Sequence, residues 1–224
     1  MMISPGSFIE NQIKGKSYEE AVSVLYELKS ETERLEKLIK EDPFCDEMMT
    51  RPAPDTIIDT YKQYFRAAKE YFAEQGWSYL FPEVVYSDEI FNEKLNNLTS
   101  ISLSIGPCFG GQELQMVIFD GDKIISNYSD RRLMTEEAQS EKTKKVSIPD
   151  GFTRIEYIKE LQSLHIGEWD KEYHDPCILD GTEWEAEFKF EDGDKIVFRG
   201  ANKYPWNFYD FLELLGMEHC FESN

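Results

Sequence analysis

Few side chains in this sequence could do chemistry, and Cys108 comes first. It lies in the run Gly-Pro-Cys-Phe-Gly-Gly at 106–111. Glycines there let successive backbone N–H groups converge on an anion, and the same dipoles would stabilise a thiolate. With His165 or His174 as base, Cys108 is a candidate nucleophile. The same run also reads as a glycine bulge between two strands with Cys108 as a small packed side chain, the reading favoured because spacing supplies no third, orienting residue. His174 and Cys177, in the segment HIGEWDKEYHDPCILDG with Asp170, Asp175 and Asp180, have a spacing that could ligate zinc. A closed site needs a second pair. His219 and Cys220 are adjacent rather than spaced and stand near the end of the sequence, where chains fray. The competing reading is a polar helix-to-strand connection. Phosphate-loop, dinucleotide, zinc-protease and nucleophile-elbow signatures are absent, and no cofactor is expected.

Two features point to binding instead. Glu183, Glu185 and Glu187 form a carboxylate row able to dock a basic protein surface, or else a solvated sheet face. Tyr204 and Trp206, in Asn-Lys-Tyr-Pro-Trp-Asn-Phe at 202–208, are aromatic anchors if exposed. In the structural alternative Asn207 caps a helix and the rings pack under a sheet.

The elements that must position these residues follow from periodicity. Ser17 and Glu20 have the form of a capping box, and Ala21, Val22, Leu25, Leu28, Leu35, Leu38 and Ile39 behind it keep a helical spacing up to Asp42-Pro43. A second helix begins near Pro54-Asp55, with Tyr61, Phe65, Ala68 and Phe72 as its stripe and Gly76 as its stop. A short third helix is expected from Ser87 to about Leu95, with Ile90, Phe91 and Leu95 inward. From Ser100 the period becomes two. Trp184, Ala186, Phe188 and Phe190 alternate with Glu183, Glu185, Glu187 and Lys189, and Ile196 and Phe198 continue the apolar set.

The peptide DGDKI occurs at 120–124 and again at 192–196. It lacks the oxygen ligands of a calcium loop and reads as a hairpin tip. In the second copy a three-residue loop of Glu191, Asp192 and Gly193 pairs Phe188 with Ile196, Ala186 with Phe198 and Glu185 with Arg199. A two-residue loop would bury a charge. The first copy is expected to behave alike, with Leu114, Met116 and Ile118 leading in and Ile124 leading out. Amphipathic helices follow both hairpins, one with Ile155, Ile158, Leu161 and Leu164, the other with Phe208, Phe211, Leu212 and Leu215. The polar stretch 129–150 before the first helix reads as a mobile loop. The expected fold is therefore α+β: an N-terminal helical hairpin in a mainly helical region 1–96, a (ββα)2 region 97–216 forming an antiparallel sheet with both helices on one face, and a tail 217–224, packed as one unit.

With 24 basic against 44 acidic residues the formal charge is −20, which repels phosphate backbones and argues against nucleic acid as a partner. No stretch approaches the ~20 apolar residues that span a bilayer, the first twenty residues lack a signal-peptide core, and the four cysteines are unpatterned. A cytoplasmic protein with free thiols and no membrane partner is expected.

The runs IGPCFGGQE (105–113), DGTEW (180–184) and GANKYPWNFYDFLELLG (200–216), with YKQYFRAAKEYFAEQG around Glu70, resemble a widespread family of uncharacterised cytosolic proteins of anaerobic gut bacteria. The resemblance spans about residues 52–216 and implies no activity, cofactor or catalytic residue. The reading that follows is a non-enzymatic, acidic protein that binds and neutralises a basic partner, in the manner of an immunity protein. The alternative is a small enzyme or a ligand- or metal-binding protein using the Gly106–Gly111 loop and the His165–Asp180 segment.

Overall fold

The computed structural model describes residues 2–42, 46–130, 152–175, 178 and 180–222. The chain folds as two compact units, Met1–Ser87 and Asp88–Asn224.

In the first unit, α1 (Pro5–Phe8) runs into a single wide turn (Ile9–Ile13) and then α2 (Tyr18–Glu41), which packs against α3 (Pro54–Glu74). The capping box at the start of α2 is formed: Ser17 Oγ accepts from Glu20 N, and the Glu20 carboxylate accepts from Ser17 N at 2.8 Å. Gly76 takes the left-handed conformation (φ +69°) that ends α3. Ala21 and Leu25 of α2 meet Phe65, Ala68 and Phe72 of α3 in one core, joined by Phe8 stacked on Tyr64. Of the residues the helical spacing selected, Ala21, Leu25, Leu35, Phe65, Ala68 and Phe72 are buried, while Val22, Leu28, Leu38, Ile39 and Tyr61 are half-buried.

α4 (Glu83–Lys94) leads into the second unit. Phe91 and, just beyond it, Leu95 are buried there as expected, but Ile90 is 60% exposed. An inward Phe91 leaves its sequence neighbour about 100° around the helix, facing water.

The second unit is α+β, built on a six-stranded sheet in the order β3-β2-β1-β5-β6-β4. Its strands are β1 (Leu98–Pro107), β2 (Glu113–Asp120), β3 (Lys123–Asp130), β4 (Glu172–His174), β5 (Thr182–Phe190) and β6 (Lys195–Ala201). Central β1 pairs antiparallel with β2 on one side and β5 on the other, so it joins the two hairpins into one sheet. Helices α5 (Arg154–Ser163) and α6 (Phe208–Leu215) each follow a hairpin and share one core with the sheet. In it Tyr157, Leu161, Phe208, Phe211 and Leu215 cover Ile101, Leu103, Phe119, Ala186, Phe188 and Phe198. The sheet departs from the expected antiparallel form at one edge. β4, three residues long, lies parallel to β6, because the chain leaving α5 returns to the sheet beside the strand that precedes α6.

The β5–β6 register is the expected one, with Phe188 opposite Ile196, Ala186 opposite Phe198 and Glu185 opposite Arg199. Gly193 has φ +86°. The first DGDKI differs. Asp120 pairs with Lys123, so its loop is the two residues Gly121 and Asp122, and Phe119 rather than Met116 stands opposite Ile124. Shortening the loop by one residue exchanges the faces. Val117 and Phe119 are buried, while Leu114, Met116 and Ile118 lie on the other side of the sheet. β2 is apolar in both phases near the turn, so alternation could not decide its face. β5, with charge at every second position, left no such freedom.

Residues 131–150 of the stretch read as a loop lie outside the described residues, while Ser129 and Asp130 end β3. Among the described residues no helix is long and apolar enough to cross a membrane.

Candidate functional site

The runs at 105–113, 180–184 and 200–216 meet at one end of the sheet. Gly106 of β1 is paired with Glu183 of β5, and the Cys108 N–H donates to Gly181 O at 2.7 Å. Asn202, held in a left-handed conformation (φ +58°), offers Oδ1 to the Thr182 N–H at 2.8 Å. The Trp184 indole N–H donates to Lys203 O at 2.9 Å, and the Trp184 ring packs against Tyr204 and Phe208. The Trp169 indole donates to Asn207 Oδ1 at 2.8 Å, and Asn207 Nδ2 donates to Leu164 O. Asn207 is therefore a buried clamp between α5 and α6 rather than a side-chain helix cap. Tyr204 is half-buried in the core, whereas Trp206 is 43% exposed at the start of α6. These runs lock the edges of β5 and β6 to the helices above them.

Cys108 is exposed, and its thiol donates to Glu183 Oε1 at 3.4 Å. That carboxylate pushes the thiol pKa up, the reverse of what a nucleophilic cysteine needs. His174 is in register with Ala201, which is in register with Glu183. Two strand spacings, about 10 Å, therefore separate His174 from the residue that holds the Cys108 thiol. His165 is engaged elsewhere: with φ +50°, it places Nδ1 2.8 Å from Oδ2 of buried Asp88. Cys177 lies outside the described residues, and with it the His174–Cys177 pairing. Tyr173, His174, Glu183, Glu185 and Arg199 line a shallow depression of about 530 Å³ on the sheet, whose lining includes Ser104 and Gln112 on either side of the Gly106–Gly111 loop but no residue of that loop.

The carboxylate row does not stand alone. Glu185 is paired with Arg199 at 2.6 Å, and Glu187 lies 2.9 Å from Lys189 and 3.2 Å from Lys195. Those two lysines, Lys189 first, hold the Glu187 carboxyl below the usual carboxylate range. Arg199 thus offsets Glu185, and Lys189 and Lys195 offset Glu187, on the same face, while Glu183 accepts from the Cys108 thiol.

A second acidic surface, without such cations among the described residues, lies on the helical side. A groove of about 310 Å³ between α5 and α6 has Phe152, Leu164 and Leu214 as its floor and the exposed carboxylates Glu160, Asp210 and Glu213 as its rim. None of the described residues that line it is basic. α5 turns Tyr157, Ile158 and Leu161 to the core, which leaves Glu160 at its outer edge. α6 buries Phe208, Phe211, Leu212, Leu214 and Leu215, and so presents Asp210 and Glu213 outward. The helical spacing of both segments contains this groove, but only their side-by-side packing creates it.

A polar corner interrupts the inner face of the sheet. Beyond Val117 and Phe119, β2 turns Gln115 and Glu113 inward, both buried. Glu113 Oε2 accepts from the Tyr128 hydroxyl at 2.5 Å and lies 2.6 Å from His219 Nε2. Cys220 Sγ is 3.8 Å from the same nitrogen. Among the described residues, Glu113, His219 and Cys220 form a group whose ligand atoms all lie within 4.8 Å of one another. Sequence spacing gave no sign of it, since Glu113 and His219 are 106 positions apart. Comparison with protein-family models, curated proteins and solved structures finds no match for this chain.

Proposed function

We propose that this protein binds a basic protein segment without catalysing a reaction, and that the binding surface is the groove between α5 and α6. The observation that carries this is the arrangement of that groove: an apolar floor of Phe152, Leu164 and Leu214 beneath three carboxylates, with no basic residue among the described residues of the lining. An amphipathic helix with lysine or arginine flanking an apolar stripe matches it in both respects. The sheet row is a poorer surface, because Lys189, Lys195 and Arg199 on β5 and β6 offset Glu185 and Glu187. Neutralisation of a basic toxin is one concrete form of the function.

The test uses a fluorescently labelled amphipathic helical peptide of leucine and lysine, with anisotropy read at low and moderate salt. Saturable binding that weakens with salt is expected, with a loss of about tenfold or more when Glu160, Asp210 and Glu213 are all replaced by lysine. A peptide with glutamate in place of lysine should not bind. Unchanged affinity in that triple variant would sink the proposed surface. So would a loss confined to reversal of Glu183, Glu185 and Glu187, which would return the interface to the sheet.

A second reading rests on the depression lined by His174, Glu183 and Arg199, which takes Glu172, Tyr173 and His174 from the His165–Asp180 segment but no residue of the Gly106–Gly111 loop. Cys108 offers that site no activated nucleophile while Glu183 holds its thiol.

A further inference from the structure

We propose that Glu113, His219 and Cys220 bind a divalent transition-metal ion, zinc being the best match to their chemistry. A buried carboxylate at this corner needs hydrogen-bond partners, and Tyr128 and His219 provide them. That need explains two neighbours of Glu113 but not the third, a thiol whose sulfur lies 3.8 Å from the same imidazole nitrogen. An oxygen, a nitrogen and a sulfur donor together select a borderline-soft ion such as zinc over calcium or magnesium, which take oxygen ligands.

The distances suit the ion with a small adjustment. Zinc bonds of about 2.0 Å to oxygen and nitrogen and 2.3 Å to sulfur, at tetrahedral angles, set the donors about 3.3 Å (O to N) and 3.5 Å (N to S) apart. The nitrogen–sulfur separation of 3.8 Å is already close to that. The oxygen–nitrogen separation of 2.6 Å is a hydrogen bond that must open by about 0.7 Å to reach that spacing. His219 can supply the movement, since its side chain is 43% exposed and sits on the four-residue α7 (His219–Glu222). Glu113 stays fixed on β2, with the Tyr128 hydroxyl orienting its carboxylate as an outer-shell partner orients a metal ligand. Three protein ligands leave a fourth position for solvent or a bound group.

Cobalt(II) is the probe. Protein prepared without a histidine tag, stripped with a chelator and dialysed, is titrated with cobalt. The expected result is one-to-one saturation, with tetrahedral visible bands and a near-ultraviolet thiolate-to-cobalt band, all displaced by zinc. Cys220→Ser should remove the thiolate band, Tyr128→Phe should weaken binding about tenfold, and Cys108→Ser should change nothing. No saturable spectrum, a thiolate band that survives Cys220→Ser, or one lost in Cys108→Ser would each overturn the site. Cys220 is half-exposed, so its serine variant leaves the core in place. The paired cysteine variants decide the site without altering buried Glu113.

Discussion

Gly200→Ala is the sharpest test of how this sheet is locked. Gly200 lies in β6 with ordinary strand backbone, so any requirement for glycine there concerns space rather than conformation. A Cβ at this position would stand 2.1 Å from Trp184 Nε1, 2.3 Å from Cε2 and 2.7 Å from Lys203 O. The indole cannot swing away, because Trp169, Tyr173, Tyr204 and Phe208 surround it. Alanine must therefore push the ring off Lys203 O. Leaving a buried N–H unpaired costs about 1–3 kcal/mol, and overpacking a filled core adds about 1–3 kcal/mol, so a loss of about 3 kcal/mol is expected. At about 2–4 °C per kcal/mol for a chain of this size, the melting temperature should fall by roughly 6–12 °C. Chemical denaturation followed by tryptophan fluorescence measures the loss. Trp184→Phe supplies the control, since a phenyl ring lacks the indole nitrogen that the new methyl would strike. In that background Gly200→Ala should cost under about 1 kcal/mol, a coupling of about 2 kcal/mol. A Gly200→Ala cost within about 0.5 kcal/mol of zero, or the same cost in both backgrounds, would refute the steric argument.

Other expectations follow from local geometry. Glu183→Gln removes the carboxylate that raises the Cys108 pKa, so alkylation of Cys108 by iodoacetamide at neutral pH should become severalfold faster; equal rates would mean that the thiol does not feel Glu183. Ser17→Ala should cost the first unit about 1 kcal/mol in denaturant titration through loss of the α2 cap. The backbone N–H and hydroxyl of Ser17 hold the Glu20 carboxyl below its ordinary pKa. The stabilisation from that carboxylate is therefore fully present above the ordinary carboxylate range and lost as the pH falls through the depressed value. The stability difference between wild type and Glu20→Gln should narrow in acid, and a gap independent of pH would argue against the capping box.

What could be read in advance depended on whether a residue's neighbours were near in sequence. The stripes of α2 and α3, the capping box at Ser17 and the three-residue turn at Gly193 are set by residues within about one or two turns of helix or strand, and each formed as its spacing required. DGDKI at 120–124 marks where that reading stops. The same five residues turn in two at one place and in three at the other, because the strands, not the turn, choose the register. The motif runs were equally legible as strings, yet what they do depended on contacts across the sheet: Asn202 to Thr182, Gly200 beneath Trp184, Asn207 to Trp169. The group of Glu113, His219 and Cys220 had no local signal, since a glutamate at a strand end and an adjacent His-Cys pair mean little until the fold superposes them.

The same distinction explains why the binding surface is proposed on the helices rather than on the sheet. Alternation along β5 shows correctly that Glu183, Glu185 and Glu187 share an outward face, but it is silent about what β6 places opposite them. Antiparallel pairing brings Arg199 to Glu185 and Lys195 within reach of Glu187, so that part of the face contributes little to a net charge of −20. On α6 the nearest outward neighbours belong to the helix itself or to α5, and the described residues lining the shared groove include carboxylates but no cations. A basic segment of the kind proposed would therefore meet a field at Glu160, Asp210 and Glu213 that no described lining cation offsets, over an apolar floor able to hold it.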